Sequence, residues 1–234
     1  MLNALIFDVD GTLAETEEAH RKAFNQTFAE FGLDWHWDPL LYGRLLKVSG
    51  GKERMRSYAG ANVDDTLIDA LHRRKTEIYT TFVATGAVPL RPGVERLITQ
   101  ALDHGLTLAV ATTTTRANLL ALLDGATGGA GHGWFKVMAC ADDAPVKKPD
   151  PAVYRFVLER LELPAVRCLA IEDTRNGVLS ARGAGLDVVV TRSTYAHDED
   201  VTAALAVYDD LSFVGLPDLM RLKSRIGWAE PPAA

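Results

Sequence analysis

The sequence predicts an α/β fold, built on a mostly parallel sheet with a helical segment inserted after the first strand. Three observations predict it. Short runs rich in Val, Ile, Leu and Ala alternate with helix-length amphipathic segments, the pattern of successive βα units. Four of those runs end in polar or charged residues, and ligands of open α/β sheets bind outside the carboxyl ends of the strands. Residues 15–85 read as helical throughout, an interval far longer than one crossover helix needs.

In chain order, the strand candidates are "ALIFD" (4–8), "LTLAVAT" (106–112), "KVMACAD" (136–142), "CLAIED" (168–173) and "DVVVT" (187–191), with a weaker one, "LAVYD", at 205–209. Helical spacing is clearest in "EEAHRKAFNQTFAEFG" and "DDTLIDALHRRKTEIYTTFV". Gly and Pro punctuate both edges of the insertion, in "GTLAET" and "TGAVPLRPG", which assigns 1–14 and 87–234 to the core and 15–86 to the insertion. In "KKPDPAVYRFVLERL", Asp150 is a candidate N-cap and Pro151 belongs to the first helical turn. The stretch 124–134, "DGATGGAGHGW", reads as a glycine-rich surface loop, and the terminal "AEPPAA" as frayed. The aromatic cluster "DWHWD" (34–38) reads as packing within the insertion.

Composition narrows the function classes. The chain has 234 residues and a net charge of −6, so neither a nucleic-acid groove nor an anionic membrane, which both reward a basic face, is expected as partner. No apolar stretch approaches the length of a membrane span, and no leader pattern precedes the first strand, so a cytoplasmic location is expected. Cys140 and Cys168 lie inside apolar runs without metal-ligand spacing and read as core thiols.

The chemistry lies at the strand ends: Asp8 and Asp10 after the first, Thr112 to Thr115 after the second, Asp142 and Asp143 after the third, Glu172 and Asp173 after the fourth. A single such ending is usually a helix cap; four on one sheet edge imply a site. The opening "DVDGTL" lacks the third alternate oxygen ligand and the following Gly of a calcium loop, which excludes an EF-hand. The oxygen donors of Asp8, Asp10, Glu172 and Asp173 suit Mg²⁺. Thr112, its neighbouring backbone N–H groups and Lys148 are donors suited to a phosphate. An anion, a hard cation and a carboxylate together point to phosphoryl transfer. A carboxylate meeting a phosphate at about 4 Å feels roughly 4 kcal/mol of repulsion per charge pair at an effective dielectric near 20, so the cations have work to do.

Taken together, "DVDGT", "VATTT" with Thr112, "KKPDP" with Lys148 and "IEDT" with Glu172 and Asp173 resemble, in order and spacing, the four motifs of the haloacid dehalogenase (HAD) superfamily of phosphatases and phosphomutases. The resemblance covers almost the whole chain. It implies a Rossmann-like core with an inserted helical C1 cap. Asp8 would be the nucleophile that becomes an aspartyl phosphate, and Asp10 the acid and then the base. Mg²⁺ would be held by Asp8, the Asp10 carbonyl and Asp173, with Glu172 alongside. The dehalogenases of the superfamily lack the second aspartate, so Asp10 argues against dehalogenation. A catalytically dead phosphosugar sensor is disfavoured, because no motif position is lost.

Within the insertion, "SGGKERM" (49–55) and "AETEEAHRKAF" (14–24) resemble the CbbY-type sugar-phosphate phosphatases, whose substrate is xylulose 1,5-bisphosphate, a sugar that inhibits Rubisco. The partner expected is thus a small phosphorylated sugar, turned over by a monomer, with a homodimer as the alternative. Gly50 and Gly51 permit close backbone approach, and Lys52 and Arg54 bring charge for a second phosphate. His72, Arg73 and Lys75 are further candidates for that clamp, as are Thr113, Thr114, Arg116 and Asn118 from the core side. The plain alternative is a Ser49 helix cap and a solvated basic face. Glu17 and His20 share a helix face and could meet sugar hydroxyls or simply be a half-exposed polar surface. Within the superfamily, a β-phosphoglucomutase-like mutase and a phosphoglycolate or other monophosphate phosphatase remain alternatives.

Overall fold

A computed structural model describes residues 2–60, 63–144 and 146–226; the "AEPPAA" end lies outside the described residues. Six strands form one sheet: β1 (Ala4–Phe7), β2 (Thr107–Ala111), β3 (Val137–Ala139), β4 (Cys168–Glu172), β5 (Asp187–Thr191) and β6 (Ala206–Tyr208). Their spatial order is β3-β2-β1-β4-β5-β6 and every neighbouring pair is parallel. All six runs found in the sequence are strands, trimmed by a residue or more at most ends. The chain reverses its direction of travel across the sheet at β1, so the crevice for a ligand opens at the carboxyl end of β1, between β2 and β4.

Strand alternation sorts the side chains. Leu5 and Phe7 of β1 face one core together with Leu108, Val110, Leu169 and Ile171. Ala4 and Ile6 face the other with Ala109, Ala111, Cys168 and Ala170. The first core is covered by α5 (Val94–Asp103), α6 (Arg116–Thr127) and α9 (Leu216–Ile226). The second, lined by smaller strand residues, takes α7 (Ala152–Leu161) and α8 (Arg175–Gly183). Cys140 and Cys168 are free and buried, and burial pushes both thiols up to about 11.

Residues 15–85 are not helical throughout. They form α1 (Glu17–Glu30), α2 (Pro39–Leu45), α3 (Gly51–Ala59) and α4 (Asp65–Val83), and the stretch from 31 to 38 is irregular. Asp38 starts α2 by accepting the Leu41 N–H at 2.8 Å, with Pro39 at the first position. A third core joins these helices through Phe24, Phe28, Trp37, Tyr42, Met55, Ile68 and Leu71, so the "DWHWD" aromatics pack as expected. The feet of α1 and α4, at Ala19, Ala23, Tyr79 and Val83, belong instead to the first sheet core.

Two local expectations change. Residues 124–127 finish α6 rather than open a loop, and a short 3₁₀ turn (Ala130–Gly133) follows, because Gly128 and Gly129 adopt the left-handed conformation that stops the helix. Pro151, expected within the first helical turn, instead holds the N-cap position of α7 that Asp150 was expected to fill, and Asp150 stands one residue earlier, accepting the Ala152 N–H at 2.8 Å. Among the described residues no helix is long and apolar enough to cross a membrane.

Candidate active site

Asp8 extends β1 by one residue, its N–H reaching the Ile171 carbonyl at 3.0 Å. The chain then turns back, with the Val9 carbonyl accepting the Thr12, Leu13 and Ala14 amides. Gly11 is required here: its φ is +81°, and a Cβ would stand 2.0 Å from Asp173 Oδ2. The turn after β1 therefore lies directly against the turn after β4.

Three carboxylates meet at that point. Oxygen atoms of Asp8, Glu172 and Asp173 lie within 4.8 Å of one another, all buried. Lys148 Nζ donates to Asp8 Oδ1 and Glu172 Oε1, both at 2.6 Å, and to the Ala111 carbonyl at 2.9 Å, which uses all three of its protons. Tyr154 adds its phenol O–H to Glu172 Oε1 at 2.5 Å. Burial pushes the Asp8 carboxyl up to about 8, although Lys148 pulls the other way. Burial, then the charges of Asp8 and Glu172, raise Asp173 well above the carboxylate range. One ammonium cannot neutralise three carboxylates, so the cluster favours a further cation. Its donors are all oxygen and Lys148 occupies only one oxygen of Asp8, which fits a hard divalent ion such as Mg²⁺.

Asp10 lies in a different environment. Thr16 Oγ1 donates to its Oδ1 at 2.5 Å and His20 Nε2 stands 3.1 Å from the same oxygen. Burial alone would raise this carboxyl, but His20 and the Thr16 hydroxyl hold it down at about 2. Lys75 Nζ is 2.6 Å from His20 Nδ1, and the ring stacks on Tyr79 at 3.8 Å. Burial and then Lys75 lower His20, while burial brings Lys75 down to about 7. One proton arrangement satisfies the distances: Nε2–H donates to Asp10 and Nδ1 accepts from Lys75, so the neutral ring acts on Asp10 through its hydrogen bond. His20 is thus buried and bonded to Asp10, neither half-exposed nor free for a sugar hydroxyl.

Asp8, Asp10, His20, Lys148 and Asp173 floor a cleft of about 360 Å³. Thr112, Thr113 and Thr114 line it at the end of β2, where Thr112 Oγ1 accepts the Thr114 N–H at 3.1 Å. Asn118 Nδ2 donates to Thr114 Oγ1 at 2.9 Å, and its buried Oδ1 has no protein partner. The roof carries Gly50, Gly51, Lys52, Arg54, His72 and Lys75. Gly51 brings α3 close to α4, since a Cβ would meet the His72 ring at 3.0 Å. Lys52 is paired with Asp69 at 2.6 Å and half-exposed. Arg54 is buried, donating to Tyr42 Oη at 3.1 Å, and Tyr42 in turn donates to Glu17 Oε2 at 2.7 Å. His72 is held down at about 4 by burial and by Lys75 and Lys52.

Two sequence candidates fall outside. Arg73 is exposed, because the face of α4 that carries His72 and Lys75 to the cleft turns residue 73 away from it. Arg116 is exposed at the start of α6 and bonds to the Met138 carbonyl and Asp143, outside the cleft lining. Ser49 does not cap α3; Gly50, with φ +93°, holds the cap position and makes no side-chain bond. Tyr42, Tyr154 and Tyr195 join the site from outside the sequence candidates, and Thr16 comes from the 14–24 stretch. Tyr195, on the loop after β5, lines the cleft and donates to Glu18 of α1 at 2.7 Å, so it joins the sheet to the roof. Nothing local to the three tyrosines signals that role; contacts with residues 12 to 177 positions away create it, whereas Thr16 reaches Asp10 from six residues on.

Comparison with known proteins shows the family. The sequence model of the haloacid dehalogenase-like hydrolases matches residues 2–185. The chain is 52% identical over 219 residues to the plasmid CbbY protein of Cupriavidus necator, covering 90% of this chain and 86% of that one. It is 51% identical over 214 residues to CbbY of Rhodobacter capsulatus, covering 90% and 94%. The crystal structure of CbbY from Rhodobacter sphaeroides in complex with phosphate superposes with a TM-score of 0.89 at 42% identity, covering 94% of this chain and 100% of that one. A mutant of that protein, in complex with xylulose 1,5-bisphosphate, matches with the same score. A sheet of this order, its carboxylate cluster and likeness to CbbY proteins over nine-tenths of the chain lead to one conclusion: the chain belongs to the haloacid dehalogenase-like hydrolases and is a phosphatase of the CbbY type.

Proposed function

We propose that the protein is a Mg²⁺-dependent phosphatase that hydrolyses a small sugar bisphosphate, most specifically xylulose 1,5-bisphosphate, through an aspartyl phosphate on Asp8. One observation carries the reading: Lys148 bridges Asp8 and Glu172 beside Asp173, with an ionised Asp10 across the same cleft and cationic Lys52 and Arg54 in its roof. The substrate follows from the sugar bisphosphate named for the Rhodobacter sphaeroides complex and from a roof with charge for a second phosphate.

In this reading an Asp8 carboxylate oxygen forms a bond to phosphorus as the ester P–O bond breaks, while His20 passes its Nε2 proton to Asp10 and takes one from Lys75 at Nδ1, and Asp10 hands its proton to the departing sugar oxygen. Water then attacks the aspartyl phosphate, Asp10 takes its proton, and Asp8 is released with inorganic phosphate. With its carboxyl held down at about 2, Asp10 is in the form that accepts that proton, and the Lys75–His20 chain ends on it. Lys148 and the Thr112 to Thr114 turn orient the phosphoryl group. Asp8, Asp173, Glu172 and the Asp10 carbonyl would hold Mg²⁺, which supplies charge neutralisation between carboxylate and phosphate when bound. Residues 15–86 act as a cap over the core formed by 1–14 and 87–234, excluding water during the first step. The acting form in this reading is a cytoplasmic monomer.

The test compares kcat/KM for phosphate release from 1,5-bisphosphorylated and monophosphorylated ketopentoses with Mg²⁺ present. A clear preference for the bisphosphate is expected. Equal values would overturn the bisphosphate assignment, and isomerised sugar phosphate without phosphate release would make the enzyme a mutase. The likeness to a β-phosphoglucomutase of Clostridium difficile, at 18% identity, is one of fold alone.

A further inference from the structure

Arg91 takes no part in the chemistry above and lies outside the cleft, yet it is buried, with 8% of its side chain exposed. A buried guanidinium is costly unless its donors are satisfied, and this one has five. Nε faces Glu15 Oε1 at 3.2 Å. Nη1 donates to the Gly11 carbonyl and to Thr191 Oγ1 at 3.0 Å. Nη2 donates to the Arg192 carbonyl and to the Asp209 carbonyl at 3.0 Å. The two Nη nitrogens thus donate to neutral oxygens on four residues, and the contact with Glu15 adds one ion pair with a carboxylate. Simple charge pairing does not need four partners on neutral oxygens; a fixed fork that sets the spacing of several segments does.

Those segments converge on this one side chain. The two linkers of the helical insertion run side by side here, with Ala14 and Leu90 in an antiparallel bridge and the Arg91 N–H on the Leu13 carbonyl at 2.8 Å. The side chain reaches on from the linkers to the turn after Asp10 and to the ends of β5 and β6. At Gly11 the clamp is complete, because its N–H is held by the Ala14 carbonyl at 2.8 Å and its C=O by Arg91. Gly11 is bonded to Asp10 and lies against Asp173. A shift of the linkers would therefore carry Asp10 with it.

We propose that Arg91 is a positioning residue, which sets the placement of Asp10 relative to Asp8 and Asp173 by tying the Asp10–Gly11 turn to both linkers of the insertion. The assignment rests on the phosphatase reading, in which Asp10 moves the protons. Lysine keeps the charge but has three donors on a point and cannot span these acceptors.

The experiment uses the full chain with Arg91→Lys and Arg91→Ala. Folded Arg91→Lys is expected to lose about 10- to 100-fold in kcat, the scale of an ångström misplacement, with KM for the sugar phosphate changed by less than about threefold. Guanidinium at non-denaturing millimolar concentration should restore Arg91→Ala several-fold, where ammonium does not. An unchanged kcat in folded Arg91→Lys, or a loss that only follows the folded fraction, would overturn the proposal. Should Arg91→Ala fail to fold, Arg91→Lys decides alone. Hydrogen exchange of the amides at residues 9–16 separates this proposal from the phosphatase reading, since it needs no substrate. Faster exchange in Arg91→Lys is expected even if the wild type releases no phosphate, and unchanged exchange sinks the clamp.

Discussion

His20 stands between Asp10 and Lys75, with Nε2 3.1 Å from the aspartate and Nδ1 2.6 Å from the ammonium. The three groups come from the turn after β1, from α1 and from α4, so the proton state of Asp10 depends on where the two helices sit. Replacing His20 by Ala leaves Asp10 with Thr16 alone. A fall in kcat of about 10²-fold, within the range of general acid–base catalysis, is expected with a smaller change in KM. Steady-state kinetics on the folded variant checks it.

Lys75 gives that chain a pH limit. Burial holds its ammonium at about 7, so the proton facing His20 Nδ1 is lost as pH rises through neutrality. The wild-type kcat should decline on that alkaline limb, and Lys75→Met should show lower activity without a limb near 7. Rate profiles from about pH 5 to 9 decide it.

Asp8→Asn should separate stability from activity. The Asp8 carboxyl is raised from 3.8 to about 8, so between those values the folded chain keeps a proton that the unfolded chain has released. Stability from this group is present below the unfolded value and declines as pH rises toward 8. Metal-free Asp8→Asn should therefore melt above the wild type at pH 7 and close to it near pH 4, while phosphate release is abolished. Thermal unfolding of both proteins at the two pH values tests this, and a lower Tm for the variant at pH 7 would contradict it.

Mg²⁺ should act in the opposite sense. It binds ionised carboxylates, and Asp8 and Asp173 resist ionisation here, so binding releases protons and tightens with pH. The rise in Tm on adding Mg²⁺ is expected to be larger at pH 8 than at pH 6 and to disappear in Asp173→Asn. EDTA should abolish phosphate release. A pH-independent shift would show that the ion binds elsewhere.

In the roof, Lys52 is the clean probe of a second phosphate, because Arg54 also braces Tyr42. Loss of one charge-assisted contact, roughly 1.5–3 kcal/mol, should raise KM for a bisphosphate about tenfold or more in Lys52→Ala and leave the monophosphate nearly unchanged. Arg73→Ala, on the exposed face of α4, should alter neither. Equal effects of Lys52→Ala on both substrates would remove the clamp.

What the sequence by itself determined was local in origin. Six apolar runs of strand length and the polar residues that end them are legible one at a time, and parallel pairing then places Asp8, Thr112 and Glu172 on a common edge. The oxygen chemistry of a hard-cation site could likewise be read from residue types. Only the tertiary structure decided which members of a basic run turn inward. His72 and Lys75 face the cleft while Arg73 faces away, since helix rotation against its neighbours separates adjacent residues. Arg116 reads as a candidate beside Asn118 but bonds outward to Asp143. Arg91, Tyr154 and Tyr195 carry no local signal, because each acts through partners 18 to 177 residues away in the chain. Sequence proximity sets the strand ends, whereas hydrogen bonds across long loops set what surrounds them, and those depend on how the whole core packs.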